Sequence, residues 1–152
     1  MDKESYRGSY SFERQSEERS LMYEKRESQI NTLKNQLEWI KRQLEYVQFA
    51  EEHRLKMEVH RGEIYEIDWG INVNAEISNR HYGVVLRDSG PHDPIVLVCP
   101  LKTNKKGAHP ASDIDLGFIE CLGTSHTTLA VLNQCRAMDK LRIFKRARQE
   151  HR

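Results

Sequence analysis

Between Ile30 and Val47 the apolar residues are Ile30, Leu33, Leu37, Ile40, Leu44 and Val47, spaced 3, 4, 3, 4 and 3 apart. Tyr23 stands seven residues before Ile30, and neither Gly nor Pro occurs between residues 9 and 61. Gln, Glu, Lys and Arg fill the flanking positions. This pattern predicts a long helix with an apolar seam about three heptads long. A helix lying on its own globule usually carries a broader stripe, so the strict a/d spacing points to a coiled-coil dimer. Trp39 and Tyr46, seven apart beside the seam, widen it and leave packing on the protein's own domain open. Beyond Val47 the seam positions become Glu51 and Arg54. There the helix should leave its partner, with His53 to His60 leading onward.

The composition changes sharply near His60. Residues 1–60 carry 11 Lys/Arg and 12 Asp/Glu; residues 61–152 hold every Pro, every Cys and seven of the eight Gly. Three segments are therefore expected. Residues 1–18, polar and aromatic without period, read as disordered. Residues 19–58 form the helical arm, and residues 61–152 form a domain large enough for a modest core. No run of about 18 apolar residues suits a membrane span. The charged N-terminus lacks the apolar stretch of a secretory signal. Cys99, Cys121 and Cys135 are odd in number and widely spaced, which makes neither a disulfide framework nor a CxxC zinc site. A reducing cytoplasm is the expected setting, with no metal and no cofactor.

Within the second segment, Glu63 to Trp69 alternates like a strand. A polar loop follows to Asn79. Tyr82–Leu86, Ile95–Cys99, Asp113–Ile119 and Thr127–Leu132 read as further strands, with Pro100 ending the second of these. Asp139 to Ile143 closes the domain, and the basic tail from Phe144 reads as helical or frayed. Short strands between Gly/Pro turns predict a small antiparallel barrel or sandwich. Together with the arm this gives an α+β chain.

Five motifs in this segment occur in the order of a known family. Arg61-Gly62-Glu63-Ile64-Tyr65 opens it, followed by Asp68-Trp69. Asn74-Ala75-Glu76 stands where that family has Gly-Ser-Glu. His81-Tyr82-Gly83-Val84-Val85-Leu86 stands for Arg-Pro-Val-Val-Val-Leu, and Cys99-Pro100-Leu101-Lys102-Thr103 for Val-Pro-Leu-Thr-Ser. Gln134-Cys135-Arg136-Ala137-Met138-Asp139-Lys140-Leu141-Arg142-Ile143 follows Gln-Ile-Arg-Thr-Ile-Asp-Lys-x-Arg-Leu closely. Residues 61–143 thus resemble the MazF/PemK/Kid toxins; residues 1–60 lie outside the resemblance. It implies a dimeric SH3-like barrel belonging to a type II toxin-antitoxin system. It also implies a metal-independent endoribonuclease cutting single-stranded RNA at short sequences, and a partner antitoxin. A few barrels of this type instead poison DNA gyrase.

Metal-free RNA cleavage uses the neighbouring 2′-hydroxyl as nucleophile and leaves a 2′,3′-cyclic phosphate and a 5′-hydroxyl. It needs a proton acceptor, a proton donor and cationic or N–H groups for the charge on phosphorus. The resemblance places the catalytic arginine at His81, with Arg80 one residue earlier. It places the catalytic threonine at Lys102, with Thr103 next. His81 titrates near neutrality and suits acid–base work. Neighbours on a strand point to opposite faces, so Arg80 and His81 should not both enter one site. Lys102, Lys105 and Lys106 offer charge for phosphates. Asn74, Glu76 and Ser78 in the first loop, together with Gln134, are candidates for reading unstacked bases. Tyr82 or Trp69 could stack on a base, although Trp69 equally suits the core. Arg136 and Asp139 read as an ion pair. The neighbouring Ser125 and His126 cannot make a nucleophile–base geometry. Two other readings stay open: an RNA-binding barrel without catalysis, and a gyrase inhibitor.

Overall fold

The computed structural model describes residues 3–52 and 56–147 and divides into two compact units, Met1–Lys41 and Arg42–Arg152. One helix, α1, runs Lys3–Glu52. It begins well before residue 19, through the stretch expected to be disordered. Apart from Gly8, nothing there interrupts a helix, and Glu, Arg, Lys and Ser dominate it. The six seam residues from Ile30 to Val47 are 51–64% exposed.

The last turns of α1 belong to the second unit, and Asp68 is the reason. Its side chain is 0% exposed. Tyr46 Oη donates to Oδ2 at 2.8 Å, Arg42 approaches the same oxygen at 3.1 Å, and the Gly70 amide donates to Oδ1 at 3.0 Å. At about 100° per residue, Arg42 and Tyr46 lie on roughly the opposite side of the helix from Leu44 and Val47. The seam end therefore faces away from the domain that the helix touches.

Among the described residues seven antiparallel strands follow: β1 (Ile64–Asp68), β2 (Arg80–Val85), β3 (Ile95–Thr103), β4 (Asp113–Asp115), β5 (Thr128–Val131), β6 (Arg136–Asp139) and β7 (Ile143–Arg146). Their order is β4-β5-β3-β2-β1-β7, with β6 also paired to β3. A 3₁₀ turn, Lys140–Arg142, joins β6 to β7, so the chain passes from β3's neighbour to β1's neighbour in one step. Among the described residues no pairing joins β6 to β7, and the sheet is not closed.

Several strands depart from expectation: β4 ends at Asp115 rather than Ile119, and Arg136–Asp139, not read as a strand, forms β6. β3 runs through Pro100 to Thr103 instead of stopping at Cys99. Residues 95–98 pair with β6 and 101–103 with β5, so Pro100 sits where that edge changes partner and no ladder bond is demanded of it there. The helical or frayed tail expected from Phe144 instead continues a strand: β7, Ile143–Arg146, pairs with β1. Residues 148–152 of that tail lie outside the described residues, as do His53–Leu55 of the expected lead-in.

Lys140 ties the parts together. Only 1% exposed, it donates to the carbonyls of Met57, Ser89 and Gly90 at 2.7, 3.2 and 2.6 Å. Burial lowers its pKa, and the three carbonyls supply the partners that a buried ammonium requires.

Candidate functional site

The sheet separates two apolar clusters. One holds Ile67, Trp69, Val85, Val96, Val98 and Met138; the other is built on Cys99, Leu101 and Ala130, with Tyr82, Val84 and Leu122 against it. Strand alternation then sorts the candidate residues. On β2, Tyr82 and Val84 face the second cluster, and Arg80 is in step with them. On β3, Thr103 is in step with Leu101. On β5, Thr128 is in step with Ala130, and Thr103 and Thr128 are cross-strand partners. Arg80, Thr103 and Thr128 consequently share a face, and all three line a cavity of about 450 Å³.

Tyr82, Leu101 and Leu122 give the cavity its apolar lining, and Lys105 and Thr124 also line it. The Arg80 guanidinium lies 3.6 Å from the centroid of the Phe144 ring. His81 also borders the cavity but is out of step with Arg80, on the side of Trp69, whose indole N–H donates to the His81 carbonyl at 3.2 Å. Gly83 explains how Trp69 fits there: an added Cβ would stand 3.0 Å from both Ile67 and Trp69. Burial lowers the His81 pKa, and a backbone hydrogen bond at Ser78 pulls the other way. The shift favours the uncharged imidazole, the form that accepts a proton.

Lys102 lines the cavity as well, but its Nζ is 2.8 Å from Asp113 Oδ2, whose side chain is almost fully enclosed. The Lys102 hydrogen bond, followed by the His109 amide, holds the Asp113 carboxyl below its ordinary pKa. Part of the lysine's charge is thus already compensated. Lys106 is exposed and lies outside the lining.

The first-loop candidates collect elsewhere. Glu76 and Gln134 line a smaller cavity of about 210 Å³ with Trp69 and Arg136. Their polar atoms hold the loop in shape. Gln134 accepts from the Ile77 amide at 2.6 Å and donates to the Ala75 carbonyl at 3.0 Å. Glu76 accepts from the Val73 amide, and Ser78 Oγ from the Asn72 amide. Asn74 is exposed at φ 50°, a left-handed conformation that Asn tolerates. Trp69 is buried, which settles it as core. Arg136 does not pair with Asp139. It donates to the Trp69 carbonyl and lies over the indole ring, while Asp139 caps the following turn by accepting from the Leu141 amide.

Thr124 and Thr128 escaped the sequence reading, since both lie far along the chain from Arg80 and Thr103. They reach the cavity only through the β3–β5 pairing and the loop before β5. The three thiols are free; Cys99 is buried, and desolvation followed by its neighbour Cys135 pushes its pKa up to about 12. Among the described residues no group of three or more His, Cys, Asp or Glu side chains could hold a metal ion. No helix there is long and apolar enough to cross a membrane.

Fold and site together define an α+β protein whose antiparallel sheet carries a cationic, hydroxyl-lined cavity. Residues 60–151, more than half of the chain, match the family described as PemK-like, MazF-like toxin of type II toxin-antitoxin system. The chain belongs to that family, and the matched region contains both cavities. No curated protein matches the chain significantly.

Proposed function

We propose that the protein is a toxin acting as a sequence-specific, metal-independent endoribonuclease on single-stranded RNA. The observation that carries this reading is the convergence of Arg80, Thr103 and Lys105 around one cavity with His81 at its border. His81 takes the proton from the 2′-hydroxyl. The 2′-oxygen attacks phosphorus, the bond to the 5′-oxygen breaks, and water protonates the departing oxygen. Arg80, swung from Phe144, and Lys105 stabilise the negative charge that builds on the phosphoryl oxygens. The Thr103 hydroxyl orients the phosphate, and Tyr82 offers a stacking face for a base. The products are a 2′,3′-cyclic phosphate and a 5′-hydroxyl.

The assembly we propose around this chemistry is an SH3-like barrel domain in a homodimer, held also by a coiled coil through the seam of α1, working in the cytoplasm. An antitoxin would bind and block the RNA groove. Exposure of all six seam residues supports a second copy as their cover. One alternative has specific support: Arg80 against Phe144 and Lys102 against Asp113 are also what an RNA-binding domain without catalysis would show.

The test is to incubate the purified protein with a long single-stranded RNA in the presence of EDTA and map the fragment ends. Cuts at one short sequence with 5′-hydroxyl ends, abolished in Arg80→Ala and His81→Ala, are expected. RNA that is bound but left intact would replace catalysis with the binding reading.

A further inference from the structure

Thr128 is the anomaly in the cavity. It is 2% exposed, yet its hydroxyl has no hydrogen-bond partner. The backbone around it is fully engaged: its amide donates to the Gly117 carbonyl and its own carbonyl accepts from the Leu116 amide, both at 2.8 Å. The nearby hydroxyls differ. Thr124 Oγ1 is occupied within its own turn, accepting from the His126 amide and donating to its carbonyl. Thr127 Oγ1 donates to Asp115. Buried side-chain polar atoms in native proteins are nearly always paired, and an orphan calls for an explanation. Valine would fill the same volume in a strand without stranding a polar group, so the hydroxyl opposes stability unless something outside the chain completes it.

The cavity that Thr128 lines identifies that partner. The residue's cross-strand neighbour is Thr103. The cavity that both line combines the apolar Leu101 and Leu122 with Arg80 and Lys105. A small anionic oxygen group satisfies all of these at once, because charge-assisted O–H···O⁻ bonds are the strong ones and the cations fix where the anion sits.

We propose that Thr128 is a substrate-binding residue whose hydroxyl, enclosed in the free protein, turns about χ1 into the cavity and donates to a non-bridging phosphoryl oxygen of the RNA backbone, beside Thr103 and Arg80. This rests on the reading that the cavity binds RNA. The residue contributes binding and orientation, takes no proton in the reaction, and exchanges stability of the free protein for hold on the substrate.

The experiment uses the full chain with Thr128→Val and Thr128→Ser. The probe is a fluorescent single-stranded RNA methylated at its 2′-oxygens, which cannot be cut, and each variant is also melted thermally. Thr128→Val is expected to melt at the same temperature as wild type or higher, and to bind about tenfold or more weakly. Thr128→Ser should bind within about twofold of wild type. Valine that binds as well as threonine overturns the proposal while leaving the RNA reading intact. So does valine that lowers the melting temperature without weakening binding, since the hydroxyl then serves the fold, for instance through a buried water. Wild-type protein that binds no RNA overturns both. Wild-type protein that binds RNA and never cuts it removes catalysis, and the fate of Thr128 is then read from the binding of its variants.

Discussion

Replacing Arg42 with Met or Tyr46 with Phe in the full chain removes one of the two groups that α1 gives to Asp68. The carboxylate is fully enclosed, with two side-chain partners and one amide. Stranding a buried charge by removing its ion-pair partner costs about 3–5 kcal/mol. The Arg42 side chain is 28% exposed, so water can partly replace it, and about 2–3 kcal/mol is the reasoned figure. Loss of the Tyr46 hydroxyl removes one hydrogen bond to a charged acceptor, about 1.5–3 kcal/mol. Both groups meet Oδ2, so their effects should not add. For a domain of about 100 residues each kcal/mol shifts the melting temperature by roughly 4 °C or more. Arg42→Met is thus expected to melt at least about 8 °C lower and Tyr46→Phe at least about 6 °C lower, by circular dichroism of the β signal. A chain starting at Arg42 should melt like wild type, and one starting at Glu58 like the double variant or lower. Arg42→Met and Tyr46→Phe both melting within about 2 °C of wild type, a shift below about 0.5 kcal/mol, would mean that α1 does not anchor the domain through Asp68. The result also governs how an arm deletion is read: cutting past residue 41 removes part of the folded domain along with any restraint or dimerisation function.

Two further outcomes follow from the same geometry. Tyr46 and Tyr65 have their pKa pushed from 10.0 to about 12, by desolvation first and by hydrogen bonds to Asp68 and Glu63 second. A folded-state pKa above the unfolded value stabilises fully below pH 10 and loses that contribution as pH rises toward 12. Tyrosinate absorbance should therefore show both phenols titrating late, with the melting temperature falling across that window, and Tyr46→Phe should flatten the fall. On the exposed seam, Leu37→Lys with Leu44→Lys is expected to lower the sedimentation-derived mass of the full chain while leaving the β-domain melt unchanged. A mass unmoved by the pair would remove the coiled coil.

The legible parts of this chain were the ones with local period. The a/d spacing located the helix, and alternation or short apolar runs located β1, β2, β5 and most of β3. What the sequence hid depends on partners distant along the chain. Residues 144–146 look like a basic tail until β1 is placed beside them. Asp68 looks like the polar end of a strand, and only the return of α1 turns it into the anchor of Arg42 and Tyr46. Lys140 was legible as part of a motif, but not as the ammonium that gathers the carbonyls of Met57, Ser89 and Gly90.

The candidate site shows the same limit more sharply. Motif spacing brought attention to Arg80, His81, Lys102 and Thr103, and all four border one cavity. Spacing left the choice within each neighbouring pair open, because a one-residue step on a strand reverses the face and the sequence does not say which face is which. Tyr82 against Leu101 and Ala130 fixes the face on β2, and Arg80 then follows Tyr82 while His81 does not. The same rule sends Thr103 with Leu101 and leaves Lys102 to reach Asp113. Thr128 needs one further step, the pairing of β3 with β5, before it stands opposite Thr103. Its unpaired hydroxyl is the kind of local conflict expected at functional positions, where a sequence gives up some fit to the fold. The residue that reports most directly on what the cavity holds is therefore one that no local pattern singles out.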